Sequence, residues 1–189
     1  YTTFLTGGAG TGKTYTINEF IKYLRVHKVP YAVTASTGIA ATHIGGVTIH
    51  SWSGIGIKDR LTEWDIDTLT QRESLARRIR NTSVLIIDEI SMLHASRLDM
   101  VNQICKAVKG SSAPFGGLQV VFCGDFFQLP PVVRDRSIDS ATEYAYNSNA
   151  WKEAKPVVCY LATNFRQNDE TLTHILNDIR AGSEDIYES

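Results

Sequence analysis

The sequence has no marked excess of charge of either sign. It contains 19 lysine and arginine residues and 20 aspartate and glutamate residues, which gives a formal net charge of −1. A nucleic-acid partner would therefore have to be held by a local site. Cysteine is also scarce, and Cys105, Cys123 and Cys159 show no pairing pattern and no Cys-x-x-Cys motif. This argues against disulfides and against zinc, and it favours a reducing compartment. Cys105 and Cys123 fall in apolar segments and are predicted to be buried thiols.

Long apolar runs, internal repeats and low-complexity segments are absent as well. No run approaches the length of a membrane span, so we expect no membrane partner. No signal peptide is visible, but the chain begins at Tyr1 rather than at Met, and we expect it to be a trimmed piece of a longer protein. With 43% hydrophobic and 21% charged residues, the 189 residues are typical of one globular domain with a substantial core.

The most informative stretch is a glycine-rich segment at residues 7–14, Gly-Gly-Ala-Gly-Thr-Gly-Lys-Thr. Apolar residues predict a buried parallel strand over 3–6 before it and a helix over 15–24 after it. In that context glycines let backbone N–H groups surround an anion, and the helix N-terminus adds partial positive charge. Lys13 is then predicted to reach the β- and γ-phosphates of a nucleotide, and Thr14 to hold Mg²⁺. The alternative is a glycine-rich turn that binds nothing. The predicted nucleotide-binding residues are Gly8, Ala9, Gly10, Thr11, Gly12, Lys13 and Thr14.

A second chemical motif, Asp88-Glu89, ends the most apolar predicted strand, over 83–89. Ligands collect at the carboxyl ends of parallel strands, so both acids are predicted to face the phosphate loop as a Walker B site. We assign Asp88 to Mg²⁺, directly or through water, and Glu89 to the attacking water as general base. The alternative is a strand end with two solvated acids. The second acid favours hydrolysis, and the chain has no Asn-Lys-x-Asp guanine-reading motif.

Strands and helices alternate along the remaining chain, which predicts an α/β fold with a mainly parallel sheet flanked by helices. Further strands are predicted over 31–35, 118–123 and 157–161. Further helices are predicted over 38–42 (with Thr37 as its cap), 73–80, 96–109, 148–155 and 170–181. Residues 57–70 are polar, and we place a loop or a small subdomain there. Arg72, Arg77, Arg78 and Arg80 cluster nearby, either as a solvated face or as a DNA contact.

Gln128 is the third candidate for the nucleotide site. It lies in a loop, 124–136, that follows the strand predicted over 118–123, so it can be presented to the γ-phosphate. A neutral amide both donates and accepts hydrogen bonds, so Gln128 can sense whether a γ-phosphate is bound without adding charge. Pro130 and Pro131 stiffen the segment after it, so a change at Gln128 can be passed on as a movement of the loop. As a bare pattern, the segment could be an ordinary turn.

Six short motifs, in this order, resemble the motor of the PIF (petite integration frequency) DNA helicases of superfamily one. They are Gly-x-Ala-Gly-Thr-Gly-Lys-Thr, Ala-Ser-Thr-Gly-Ile-Ala-Ala, Ile-Gly-Gly-x-Thr-Ile-His-Ser, Asp-Glu-Ile-Ser-Met, Pro-Phe-Gly-Gly-x-Gln and Cys-Gly-Asp-Phe-Phe-Gln-Leu-Pro-Pro-Val. The resemblance runs over 4–182. It implies a RecA-like P-loop NTPase lobe with a small inserted subdomain near 53–80, ATP and Mg²⁺ as cofactors, and 5′-to-3′ movement on single-stranded DNA. It also implies forked duplex DNA as a partner, a monomer, and work in DNA repair, recombination and telomere maintenance. The protein would be intracellular, in the nucleus or mitochondrion of a eukaryote or the cytoplasm of a bacterium.

The resemblance also assigns residues to DNA. Two segments match those that line the family's DNA path, and they contribute Ser36, Thr37, Gly38, Thr48, His50 and Ser51. Hydroxyls and backbone amides suit phosphate oxygens, and His50 or Trp52 could stack on a base, with core packing as the alternative for Trp52. Arg166 matches the family arginine at the γ-phosphate, where a guanidinium would stabilise transition-state charge. A structural ion pair is the alternative for Arg166.

Two parts of the family pattern fall outside the chain. The glutamine that reads adenine precedes the phosphate loop in the family, and a second RecA-like lobe follows the first. A stepping motor needs the cleft between two lobes, so we expect the 189 residues alone to bind nucleotide weakly, to hydrolyse it slowly at best and not to unwind DNA. The competing hypotheses are a RecD-like or transposon helicase, and a nucleotide-dependent switch or scaffold that does not move on DNA.

Overall fold

A computed structural model of the chain describes residues 1–132 and 143–163. The strands are β1 (Thr3–Gly7), β2 (Tyr31–Ala35), β3 (Val47–Thr48), β4 (Val84–Asp88), β5 (Gln119–Cys123) and β6 (Val157–Leu161). The helices are α1 (Lys13–Val26), α2 (Gly38–His43), α3 (Ile49–Ser53), α4 (Glu63–Gln71), α5 (Glu73–Arg80), α6 (Ala95–Lys109) and α7 (Asn149–Ala154). The predicted helix over 170–181 and Arg166 lie outside the described residues.

The six strands form one sheet in the order β3-β2-β4-β5-β1-β6, and every neighbouring pair is parallel. This confirms the predicted α/β fold with a parallel sheet flanked by helices. The carboxyl ends of parallel strands meet at one edge. The segments that follow β1, β4 and β5 therefore leave the sheet on the same side, and β5 lies between the other two strands.

The core has two halves, one on each face of the sheet. Leu85 and Ile87 of β4 join the half that packs against α3 to α7, and Val84 and Ile86 join the half that packs against α1. All four side chains are buried, as is typical of a strand in the middle of a parallel sheet. Rigid packing on both faces fixes the position of the two acids at the end of β4.

Of the two alternatives predicted over 57–70, a loop or a small subdomain, the loop is wrong, since most of this range is helix α4. The Thr62 hydroxyl accepts the Asp65 N–H at 3.2 Å, and the Asp65 carboxylate accepts the Thr62 N–H at 3.0 Å. This capping box starts the helix, and Leu69 is buried on the side of the helix that faces the core. Apolar residues of both α4 and α5 belong to the main core, so the inserted helices share that core.

The cysteines have different surroundings. Cys105 and Cys123 are buried, as predicted from their apolar flanks, and Cys159 is exposed on β6. Over the ranges 1–132 and 143–163, no helix combines the length and the apolar character that crossing a membrane would require.

Candidate active site

The segment between β1 and α1 has the backbone conformation of a phosphate-binding loop. Gly10 and Gly12 have φ angles of +78° and +90°, in the left-handed region that favours glycine. A Cβ atom on Gly7 would lie 2.5 Å from the Leu161 carbonyl oxygen, so the strand passes too close for a side chain. These positions need glycine for two different physical reasons, backbone angle and space.

Lys13, at the start of α1, folds back over this loop. Its Nζ donates hydrogen bonds to the carbonyl oxygens of Gly7 and Gly8, both at 2.9 Å. The Thr11 hydroxyl donates to the same Gly8 oxygen at 2.9 Å. The ammonium group is thus held at the loop by neutral acceptors. A phosphate oxygen is a stronger acceptor for a cation, because the hydrogen bond is then charged on both sides.

Glu89, the residue after β4, has an unusual backbone. Its φ and ψ angles are 52° and 46°, the left-handed conformation, which residues other than glycine seldom adopt. The Glu89 N–H donates to the Asp88 carboxylate at 2.9 Å, so the two acids are joined at the strand end. Such a conformation costs on the order of 1–3 kcal/mol and is concentrated at functional sites.

The electrostatics of Glu89 identify its neighbours. Burial and the negative charges of Asp88 and Asp125 raise the pKa of Glu89 above its usual value, and the positive charge of Lys13 opposes that shift. Lys13 and Glu89 therefore lie close enough to influence each other, although they are far apart in sequence. The structure brings Lys13, Asp88 and Glu89 together, and their catalytic roles stay predictions.

Cys123, the last residue of β5, supports Asp88 and was not identified from the sequence. Burial, the charge of Asp88 and a hydrogen bond to the Asp88 carboxylate raise the pKa of the Cys123 thiol well above its usual value. The thiol therefore stays protonated and donates to Asp88. Only the parallel pairing of β4 with β5 brings the two residues together, so sequence spacing carries no signal of this contact.

Asp125 is a second residue that sequence reasoning missed. It is only 2% exposed, and its carboxylate accepts the Phe127 N–H at 3.1 Å and the Gln128 Nε2–H at 3.0 Å. A carboxylate cannot donate, so the amide nitrogen of Gln128 must face Asp125. The oxygen of that amide is then on the other arm of the group, where it can accept a hydrogen bond from water. The signal in the sequence is an aspartate three residues before the glutamine.

The two segments predicted to contact DNA lie side by side. Ala35 pairs with Thr48 at the carboxyl ends of β2 and β3. The Thr37 hydroxyl accepts the Ala40 N–H at 3.2 Å and starts α2, as predicted, and the Thr48 hydroxyl accepts the Ser51 N–H at 3.2 Å and starts α3. Gly38 and Ser51 are exposed beside these caps. Contact of these segments with DNA remains a prediction.

His50 and Trp52 of α3 differ in exposure. Trp52 is 2% exposed and belongs to the main core, so the suggestion that it stacks on a base is wrong and core packing is its role. His50 is half-buried. Burial, together with the positive charges of Arg97 and His94, lowers the pKa of His50, which favours a neutral ring. A neutral ring is better suited to stacking than to holding a phosphate by charge.

Two arginines of the basic cluster on α5 have structural partners. Arg78 donates to the carbonyl oxygens of Ser51 and Trp52 at 3.2 Å and 2.6 Å, so it satisfies the end of α3. Arg77 forms an ion pair with Glu73 one turn earlier. For these two residues the structure supports the interpretation as a solvated, structural face.

A pocket of about 460 Å³ lies elsewhere, beside the first half of β2. Tyr31, Val33, Gly46, Trp52 and Arg78 are among its lining residues. The sequence offers Trp52 and Arg78 as possible DNA contacts, but in the structure Trp52 belongs to the core and Arg78 bonds the end of α3. The candidate site is therefore at the strand ends rather than in this concavity.

The raised pKa of Glu89 predicts how stability depends on pH. A carboxyl whose folded-state pKa is raised stabilises the fold below its unfolded pKa, and that contribution is lost as the pH rises through the folded pKa. Glu89→Gln should therefore raise the free energy of unfolding at pH 7, by less than about 1 kcal/mol because solvent screens a half-buried group. The gain should shrink towards pH 4. Urea unfolding in EDTA, without nucleotide, measures both values.

Glu153→Gln is the matched control for this prediction. A hydrogen bond from Lys106 lowers the pKa of Glu153, so its ionised form is the one that the fold favours. Glu153 stabilises the fold above its unfolded pKa, and the contribution is lost as the pH falls through the folded pKa. The control should therefore lose stability at pH 7. Parallel pH profiles for the parent and Glu89→Gln would contradict the assigned environment of Glu89.

Known proteins match this chain closely. The model of the PIF1-like helicase family matches residues 1–184. The ATP-dependent DNA helicase Pif1 of Psychrobacter sp. (strain PRwf-1) is 55% identical over 184 residues, which are 94% of this chain and 28% of that protein. The chain thus spans less than a third of that relative.

Two solved structures are similar in fold as well as in sequence. The crystal structure of Pif1 helicase from Candida albicans matches with a TM-score of 0.86 and 42% identity over 95% of this chain and 40% of that one. Pif1 helicase from Bacteroides, in complex with ADP-AlF3 and single-stranded DNA, matches with a TM-score of 0.79 and 37% identity, over 95% of this chain and 42% of that one.

Proposed function

Because the chain belongs to the PIF1-like helicase family, we propose that it is the first RecA-like ATPase lobe of a DNA helicase that moves 5′ to 3′ on single-stranded DNA. The observation that carries the proposal is the convergence of Lys13 with Asp88 and Glu89 at one edge of the sheet. The similar Bacteroides protein binds ADP-AlF3 and single-stranded DNA, which supports both halves of the proposal. We extend it to forked duplex DNA as the substrate and to an intracellular location.

The phosphate loop and Lys13 would hold the triphosphate. Lys13 is already at the loop, where it bonds the carbonyl oxygens of Gly7 and Gly8, and a small movement would exchange these acceptors for phosphate oxygens. Thr14 and Asp88 fit Mg²⁺, because a hydroxyl and a carboxylate oxygen are the ligands this ion prefers, and Cys123 steadies the carboxylate. When bound, Mg²⁺ would neutralise charge on the phosphates.

Glu89 is the residue best suited to take a proton from water. Its raised pKa makes it a stronger base than an exposed glutamate, and from its position near Lys13 it would approach the phosphates. Gln128, held by Asp125, would offer its amide oxygen to the same water or sense the γ-phosphate. Arg166 would add a positive charge to the transition state. Each of these roles is part of the proposal.

DNA would lie across the ends of β2 and β3. We propose that Thr37, Gly38, Thr48, His50 and Ser51 contact it. The first segment follows β2, which adjoins β4, and the second follows β3, which adjoins β2 on its other side. DNA and nucleotide would therefore occupy neighbouring parts of one edge.

ATPase assays with and without single-stranded DNA test this proposal against a switch or scaffold. The protein should be the longer one that includes the downstream lobe. We expect oligo-dT to raise kcat severalfold in this protein, and we expect the 189 residues alone to bind nucleotide weakly and to unwind nothing. An ATPase rate unaffected by DNA would favour the switch, and unwinding by the 189 residues alone would contradict the two-lobe mechanism.

A further inference from the structure

We infer that Ser36 is a positioning residue for Glu89, and that it links the segment predicted to contact DNA to the general base. The inference rests on the proposed function, since it concerns how the base of that ATPase is held. It assigns Ser36 a role different from the phosphate contact that the family resemblance implies.

Ser36 is the first residue beyond β2, and two hydrogen bonds join it to the end of β4. Its N–H donates to the Asp88 carbonyl oxygen at 3.1 Å, and its hydroxyl donates to the Glu89 carbonyl oxygen at 2.8 Å. The pairing of Ala35 with Asp88 sets this register. Ser36 is 8% exposed, and its single hydroxyl proton is used in the bond to Glu89. That proton is therefore not available to a DNA phosphate.

The bond from Ser36 matters because of the conformation that Glu89 adopts. Left-handed backbone at a residue other than glycine persists only where its surroundings hold it. Two donors hold the Glu89 carbonyl oxygen, the Ser36 hydroxyl and the Met92 N–H at 3.1 Å. The Met92 bond is local, within one turn of chain. The bond from Ser36 is the one that ties the turn to another strand.

The same residue leads directly into the surface where DNA is proposed to bind. Thr37 starts α2, and Gly38 is exposed at its first turn. A shift of this segment when DNA binds would move Ser36, and Ser36 would move the Glu89 carbonyl. The path from the DNA surface to the base is then one residue and one hydrogen bond long.

Kinetics of a serine variant test the inference in the longer protein that includes the downstream lobe. Ser36→Ala should lower kcat for ATP at saturating oligo-dT by about five- to tenfold, the loss expected for one neutral hydrogen bond. The KM for ATP and the Kd for oligo-dT, measured by fluorescence anisotropy, should stay within about twofold of the parent. Ser36→Thr, which keeps the hydroxyl, should recover most of kcat.

Ser148→Ala is the matched control, since it removes another buried serine hydroxyl, the cap of α7. It should lower stability and leave kcat unchanged. Should Ser36→Ala fail to fold, Ser36→Cys replaces the hydroxyl with a weaker donor, and a lowered kcat supports the inference while a parental kcat overturns it.

The outcomes separate this inference from the proposed function. A parent without DNA-stimulated ATPase activity would overturn both. If the parent is stimulated and Ser36→Ala has the same kcat, the inference alone is overturned. If Ser36→Ala raises the Kd for oligo-dT and keeps kcat at saturating DNA, Ser36 is a DNA ligand, and the inference is again overturned.

Discussion

Glu89→Gln in the longer protein is expected to bind ATP as the parent does and to hydrolyse it about 10²- to 10⁴-fold more slowly, the contribution typical of a general base. Glutamine keeps the size of the side chain and its hydrogen-bonding ability, but it cannot take a proton. The left-handed backbone and the partners of Glu89 should be kept, since they are backbone contacts. Steady-state release of phosphate and equilibrium binding of a fluorescent ATP analogue measure the two quantities.

Glu19→Gln provides the control for this exchange. Glu19 lies on the exposed side of α1 and is paired with Lys22. It should leave turnover at the parental rate. Parental turnover in Glu89→Gln would show that another group activates the water. Asp125 would then be the next candidate, because its negative charge is close enough to Glu89 to raise the pKa of that residue.

Lys13→Ala is expected to weaken ATP binding by about 100-fold or more, since two charge-assisted hydrogen bonds to phosphate would be lost. The carbonyl oxygens of Gly7 and Gly8 would also lose the cation that holds them. With no positive charge opposing it, the pKa of Glu89 should rise further. Titration with a fluorescent nucleotide measures the loss of affinity.

Lys22→Ala, on the same helix, controls for the loss of one positive charge. Lys22 is exposed and pairs with Glu19, so this variant should bind ATP with parental affinity. Equal affinity in Lys13→Ala and the parent would contradict the assignment of the 7–14 segment as the phosphate-binding loop.

Helices and strands were predictable where residues such as proline mark their boundaries in the sequence. The predicted bounds of β2, α5 and β6 coincide with those in the structure. Pro30 precedes β2 and Pro156 precedes β6, and apolar residues fill the strands between such breaks. Helix α4 is hard to predict because most of its residues are polar, and its start is marked only by the capping pair of Thr62 and Asp65.

The site was predictable only as far as local motifs reach. Lys13, Asp88 and Glu89 each stand in a recognisable pattern, and the rule for parallel strands places them together. Ser36, Cys123 and Asp125 contact or influence the acids at the end of β4 because of the strand register and the left-handed backbone of Glu89. No local sequence pattern encodes either feature. Trp52 shows the converse, because a residue beside a functional motif can belong to the core.

The most direct test is a crystal structure of the longer protein with ADP, aluminium fluoride and Mg²⁺. We predict that Lys13 Nζ leaves the carbonyl oxygens of Gly7 and Gly8 and bonds the β-phosphate and the fluoride, while Asp88 lies at the metal and Glu89 at the attacking water. A nucleotide bound elsewhere, or one that Glu89 does not approach, would contradict the shared site.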